Sequence, residues 1–415
     1  MPTSVPSFVP SFVSAFAPAR RFRLLAALGG ILLTASAPAA EPEEGVHLYG
    51  GIGWAHDDNL LRIADGEQPF AGRRSDSYRT GEAGVVVNKR ISRQRLAATA
   101  KVSKVRFDHF HQLDYEGRDV QATWNWAVGN KLEGRAEALY VQTLAPYTDF
   151  RSDQRNLRRQ RRQLFDAGYR LHPSWKLRAG AARDKYTYEL QVQRYNDRTE
   201  KAFEAELLYQ PKSGSSVGLV ARRVKGEYPY RRPFNPLVAS DDFTQDELKA
   251  RVHWLAGGAT TLQALAGYVR RRQPSYGEGS TSGFNGRLNA SYAPVGKFGY
   301  TAAVWREFAP IESPSVSYTL NKGASIGATW DASVKLKLEA SAVYERRAYS
   351  ARFVFPGSDD LDDAIRSARL NATWQARPKI KVVAGYAYQA RSGSPVLGTG
   401  RFDSNSVQVS ANVLF

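Results

Sequence analysis

The sequence predicts an all-β fold: a single closed antiparallel transmembrane β-barrel of about eighteen strands, with sixteen as the alternative. Three observations predict it. Over residues 404–415, Val407, Val409, Ala411, Val413 and Phe415 alternate with Ser406, Gln408, Ser410, Asn412 and Leu414, a period of two that recurs along the chain. The segments between these runs are alternately short and long, as periplasmic turns and external loops are in outer-membrane barrels. Outside the N-terminus there is no apolar run near the roughly 18 residues of a helical span. In lipid an open sheet edge leaves every unpaired backbone group unsatisfied, so amphipathic strands in a membrane must close on themselves.

Composition sets the bounds. The chain has 415 residues, 42% hydrophobic and 24% charged, with 21 Tyr, 8 Trp, 34 Gly, no Cys and a formal charge of +18. The mean hydropathy is negative, but alternation hides a lipid-facing surface from any average. Without Cys there is no lipoprotein anchor, zinc-thiolate site or thiol chemistry.

The N-terminus reads as a targeting segment. Arg20, Arg21 and Arg23 precede an apolar core from Leu24 to Leu33, and Ala37-Pro38-Ala39 supplies a small-residue cleavage motif. Residues 1–39 are therefore expected to be a signal peptide, 40–45 a short periplasmic segment and 46–415 the barrel. Removing the leader takes away basic residues and no acids, so the remainder stays basic.

In chain order, the alternation predicts strands at 46–54, 77–88, 94–107, 117–128, 132–146, 160–171, 175–188, 201–210 and 216–226. It continues at 245–255, 261–271, 283–293, 298–308, 315–330, 334–349, 365–375, 380–391 and 404–415. Gly129-Asn130, His172-Pro173-Ser174, Gly257-Gly258, Pro294-Val295-Gly296 and Arg377-Pro378 mark short turns. The longer segments, among them 148–157, 189–199, 228–242 and 353–362, are external loops on this pattern. Both chain ends are then periplasmic.

Parity assigns the faces. Val120/Ala122/Trp124/Trp126/Val128, Leu336/Leu338/Ala340/Ala342/Tyr344 and Ile380/Val382/Ala384/Tyr386/Tyr388 point to lipid, with aromatics gathered near strand ends. The inward positions carry Arg95, Lys101, Arg135, Arg158, Arg162, Arg170, Lys176, Arg178, Lys249, Arg251, Arg287, Lys335, Lys337, Arg369, Lys379 and Lys381. Facing acids are fewer on this reading: Glu133, Glu137, Asp166, Glu204, Glu206 and Glu339. The lumen is expected to be basic, drawing in an anionic solute. The competing reading is a set of cross-strand salt-bridge ladders.

In the run Arg155 to Arg162, parity turns Arg158 and Arg162 inward and places Arg159 and Arg161 on the outer rim, within reach of lipopolysaccharide phosphates. On an exported barrel nucleic acid is not the expected partner of such a run. Tyr228, Tyr230, Arg231 and Arg232 combine rings and cations in a long loop, either as sugar contacts or as packing. No catalytic constellation stands out and no cofactor is implied. His109 and His111 lack a third metal ligand, and Asp359, Asp360, Asp362 and Asp363 lack calcium-loop spacing.

The opening strand, Leu48 to Trp54, runs into Asp57-Asp58-Asn59-Leu60-Leu61-Arg62. This stretch resembles the start of EpsL-type exopolysaccharide-operon outer-membrane proteins, within a broader group of β-barrel porins. In that family Asp57, Asp58, Asn59 and Arg62 would be motif positions, pairing with lumenal arginine or capping the loop. The resemblance implies passive export of an anionic or substituted exopolysaccharide, with polysaccharide-export components in the periplasm as partners. A general or small-anion-selective porin and a nonconducting structural partner of a secretion system are the alternatives.

Overall fold

The computed structural model describes residues 44–231, 241–273, 279–311, 318–349, 362–394 and 399–415. The expected signal peptide, 1–39, and Arg232, Asp359 and Asp360 lie outside the described residues. The first nine strands are β1 (Gly45–Asp57), β2 (Asp76–Ile91), β3 (Gln94–Phe107), β4 (Tyr115–Val128), β5 (Leu132–Leu144), β6 (Leu157–His172), β7 (Trp175–Tyr188), β8 (Arg198–Tyr209) and β9 (Ser216–Glu227). The rest are β10 (Phe243–Ala256), β11 (Thr260–Gln273), β12 (Gly279–Tyr292), β13 (Phe298–Pro310), β14 (Tyr318–Asp331), β15 (Leu336–Tyr349), β16 (Asp362–Arg377), β17 (Ile380–Arg391) and β18 (Phe402–Leu414).

All belong to one 18-stranded antiparallel sheet, in which each strand pairs with its sequence neighbours. β1 also pairs with β18, from Tyr49 opposite Leu414 to Asp57 opposite Ser406, so the sheet has no free edge. Among the described residues no helix is long and apolar enough to cross a membrane, and the helical pieces are 3-10 segments of three to six residues.

The two rims differ as the segment lengths predicted. At one end sit tight turns. Gly257 and Gly258, in the three-residue turn between β10 and β11, take φ of 61° and 75°, a left-handed backbone that β-carbon-bearing residues resist. At the other end sit the long loops, including loop 1 (58–75), loop 2 (108–114), loop 3 (145–156) and loop 4 (189–197).

Outward side chains such as Ile52, Phe203, Phe284 and Ile326 are exposed and apolar, and Trp124, Trp175, Trp254, Trp330 and Trp374 lie near the short-turn rim. On a water-soluble protein this belt would be an aggregation surface. Around a closed barrel it is the hydrocarbon-facing band with its aromatic girdle. Where two large rings meet a strand, glycine makes the room: the Trp126 indole, stacked on Phe165 at 5.9 Å, lies against Gly134, where a β-carbon would meet it at 2.4 Å. The protein is a transmembrane barrel of the outer-membrane type, with short turns toward the periplasm and long loops outside.

Candidate functional site: the lumen and its bridged external mouth

Strand register settles what the inward cations face. Lys101 meets Glu82 at 3.1 Å. Arg135 lies between Glu137 and Asp166, and Arg162 between Glu137 and Asp184. Arg178 reaches Asp166 at 3.1 Å and Glu206 at 3.7 Å, while Arg251 holds Glu204 at 2.7 Å and Glu206 at 2.9 Å. Lys176 pairs with Glu133, Lys249 with Glu247, Arg287 with Glu307 and Lys337 with Glu339.

Over β2–β13 most cations of the expected basic lumen are paired with acids, in ladders of alternating charge that run across and along the strands. Parity placed the cations on the right face. It gave too little weight to acids such as Glu82, Asp184 and Glu307, whose partners come from register, and to Glu247, which takes Lys249 along its own strand and Arg222 across from it.

Other candidates fall elsewhere. Lys335 and Lys379 lie in the turns before β15 and β17, not on the wall. Arg170 is exposed at the β6–β7 turn, Arg95 is exposed on the inner face near the periplasmic end, and Arg158 is buried at the external end of β6. Lys381 faces inward opposite Gln375 and Asn412.

Arg369 differs from the ladder cations. It points inward from the middle of β16, half-buried, with Ser341 on β15 and Ala387 on β17 as its cross-strand neighbours. Among the described residues no carboxylate lies within ion-pair distance of its guanidinium.

The external mouth carries the feature that strand reading missed. Loop 3 folds into the barrel because Tyr147 is apolar enough to be buried. It packs with Leu60, Leu61 and Ile63 of loop 1 and with Phe110 and Leu113 of loop 2, against inward Ala55, Tyr78, Val105, Phe107 and Tyr115. Burial of this phenol, outside the lipid-spanning wall, pushes its pKa up.

Beyond Tyr147, the Asp149 carboxylate accepts from Arg347 of β15 at 3.0 Å and lies 3.3 Å from Arg391 of β17. Arg391 also donates to the Thr148 carbonyl. Asp363 of β16 completes the cluster, accepting from Arg347 at 2.8 Å and from the Tyr349 hydroxyl at 2.7 Å. Loop 3 therefore spans from β5 and β6 to strands that are not their sheet neighbours and divides the opening. No local pattern announces this, because Asp149 and Arg347 are 198 residues apart.

The opening-strand motif anchors loop 1 in the same mouth. Arg62 donates to both Asp57 oxygens at 3.0 Å and to Gln389 of β17 at 3.1 Å. Its backbone is left-handed, φ 57°, a conformation most side chains avoid. The Asn59 side chain bonds the Asp403 carbonyl, and Asp58 accepts from Asn405. Ser404 donates to Asp57 at 2.8 Å. The motif thus ties loop 1 to β17 and β18. Asp57 pairs with the loop's own arginine rather than with one on the wall.

The proposed sugar platform divides. Tyr228 is buried with Leu164, Ala182, Ala202, Val224 and Phe243, so its ring packs the wall, whereas Tyr230 and Arg231 are exposed. Asp362 and Asp363 point to opposite faces, so they do not gather as a cation loop. His109 is a structural clamp in loop 2, with Nδ1 2.9 Å from Asp76 and Nε2 3.0 Å from Arg73. Among the described residues no acid or imidazole cluster has metal-binding form.

Fold and wall together define the class: an eighteen-stranded outer-membrane β-barrel. No family model and no curated protein matches the chain. Solved structures similar to it include the outer membrane protein OpdK of Pseudomonas aeruginosa, at 12% identity, TM-score 0.47, covering 89% of this chain and 99% of that one. OccK2 (OpdF) of the same organism, solved in complex with glucuronate, is similar at 13% identity and TM-score 0.47, covering 89% and 98%. OccAB3 of Acinetobacter baumannii has 10% identity and TM-score 0.47, covering 89% and 99%. These likenesses concern architecture. The EpsL-type resemblance of the opening strand gains nothing finer from them.

Proposed function

We propose that the protein is a passive outer-membrane channel for small acidic solutes. The observation that carries this reading is Arg369, a guanidinium aimed into the lumen halfway along β16 with no carboxylate at ion-pair distance among the described residues. In a narrowed water-filled passage an uncompensated cation raises the local concentration of anions, and its single weak contact lets them leave again. Lys381 lies below it toward the periplasm, and above it Arg347 and Arg391 are already held by Asp149 and Asp363, which leaves Arg369 as the cation that distinguishes the β15–β17 wall. The facing β6–β10 wall is internally neutralised. Ala97 and Thr99, inward and exposed near the periplasmic end, support a hydrated lumen there.

Export of an exopolysaccharide, which the opening-strand resemblance implied, fits less well. A polymer needs a passage clear across the mouth, and loop 3 crosses it. Small acidic molecules need no such width.

Planar-bilayer recording under a salt gradient tests the proposal. The wild-type channel should favour chloride over potassium, and Arg369→Glu should reduce or invert that preference without loss of folded barrel. A cation-selective wild type, or selectivity unmoved by Arg369→Glu, would overturn it. Absence of conductance steps would point to the nonconducting structural role, and specific block by anionic oligosaccharides to polymer export.

A further inference from the structure

The outer face of the barrel carries a charge pattern that transport through the lumen does not use. Read from the external rim downward, the outward residues of β6 are Arg159, Arg161, Gln163, Phe165 and Ala167. Those of β7 are Thr187, Lys185, Arg183, Ala181, Ala179 and Leu177; of β8, Thr199, Lys201, Phe203, Ala205 and Leu207; and of β9, Glu227, Lys225, Arg223, Ala221 and Leu219. Each of these strands carries cations in its upper outward positions and apolar residues below, with Glu227 the one acid at the top of β9 and with Phe165 and Phe203 exposed beneath the cations.

Register brings like charges together. Arg161 is directly opposite Lys185, Arg183 opposite Lys201, and Lys201 opposite Lys225. Like charges at directly opposed positions destabilise a sheet. Some relief comes from within the chain: Lys201 pairs with Glu227 at 2.7 Å, Arg223 with Asp246 at 2.5 Å, and Arg159 donates to Gln142. Arg161 rests over the Tyr140 ring at 5.6 Å. Among the described residues no carboxylate lies within ion-pair distance of Arg161, Arg183, Lys185 or Lys225. At the periplasmic rim the same outward rows end in Trp175, Tyr209 and Tyr169 instead, so the cations belong to one leaflet.

We infer that the outer face of β6–β9 binds a phosphorylated, acylated glycolipid of the external leaflet, its phosphates seated among Arg161, Lys185, Arg183 and Lys225. Its acyl chains lie along the alanine-lined shelf between Phe165 and Phe203. Charge complementarity selects the headgroup, because bridging phosphates turn repelling cation pairs into charge-assisted hydrogen bonds. Continuity with the apolar band selects a lipid over a free anion. Ala181 lies opposite both Phe165 and Phe203, and below it Ala179, Ala205 and Ala221 continue a row of small side chains across β7–β9.

The test uses the full chain in detergent with purified bisphosphorylated lipid A, read as the temperature at which the folded band is lost on unheated-sample gels and as lipid retained after washing. Lipid A should stabilise the wild type. The variant carrying Arg161→Gln, Arg183→Gln, Lys185→Gln and Lys225→Gln should retain it roughly tenfold less or worse, each exposed contact being weak alone but the set additive. The variant with Lys322→Gln and Arg346→Gln, cations on the outer face of β14 and β15, should bind as the wild type does. If the quadruple variant fails to assemble, dephosphorylated lipid A replaces it as the comparison and should be retained as weakly. Equal retention of dephosphorylated lipid A, equal stabilisation by inorganic phosphate or by an anionic glycerophospholipid, or equal loss in the β14–β15 variant would overturn the inference.

Discussion

Arg62 shows how much one side chain holds in this mouth. Its left-handed backbone is tolerated because its guanidinium is fully engaged by Asp57, Gln389 and the Asn59 carbonyl at 1% exposure. Arg62→Ala would leave Asp57 buried without a counter-charge, a change that costs about 3–5 kcal/mol. Loop 1 should then come away from β17 and β18, and trypsin added to intact cells should cut after Arg74 much faster than in the wild type. Arg74 is now tied to the Ile63 and Ala64 carbonyls. Unchanged cleavage would show that apolar packing of Leu60, Leu61 and Ile63 suffices. At this scale the sequence was partly legible. The family resemblance marked Asp57 and Arg62 without pairing them with each other, and parity placed Arg369 inward. The acids that neutralise the other cations were not legible, since Glu82 and Lys101 meet only through the β2–β3 register.

Loop 3 is the element whose behaviour decides how open the mouth is. It is held at both ends of its crossing, by Tyr147 in the apolar cluster and by Asp149 between Arg347 and Arg391. Asp149→Ala removes one of the two carboxylates serving two buried guanidinium groups, and Asp363 alone must then serve both. An uncompensated buried charge of this kind costs about 3–5 kcal/mol, which shifts the bridged population by roughly two to four decades. Single-channel conductance should rise, and hydrogen exchange should increase over 145–156 while the strands stay protected. Equal conductance would mean that loop 3 does not limit the passage. The strands were readable from alternation nearly to the residue at their periplasmic ends. They run further than expected at the external ends, β6 from Leu157 and β16 from Asp362, because there pairing continues beyond the lipid-facing apolar rows. The path of loop 3 was not readable, for its partners are chosen by closure of the whole sheet.

The molecule as a whole depends on two faces trading places at every residue of a sheet with no edge. β14 displays the consequence along one strand: outward Lys322 at the external rim, Ala324, Ile326 and Ala328 through the band, and Trp330 at the aromatic girdle. Ile326, 66% exposed between Ala302 and Ala342, sits midway and faces hydrocarbon. Ser325, one residue away, faces the lumen. Arginine at position 326 must carry its charge into lipid, which near the midplane of a barrel costs about 2–4 kcal/mol. Arginine at position 325 stays in the hydrated interior and should cost no more than about 0.5–1 kcal/mol. Denaturant titration of refolding into lipid vesicles should therefore find Ile326→Arg strongly destabilised and Ser325→Arg close to wild type. The same pair in a nonlipid, highly hydrated detergent should differ less, because the penalty belongs to the surrounding solvent and not to strand propensity. Equal penalties at the two positions in vesicles would contradict the face assignment, and with it both the lumenal reading of Arg369 and the leaflet-facing reading of the β6–β9 cations.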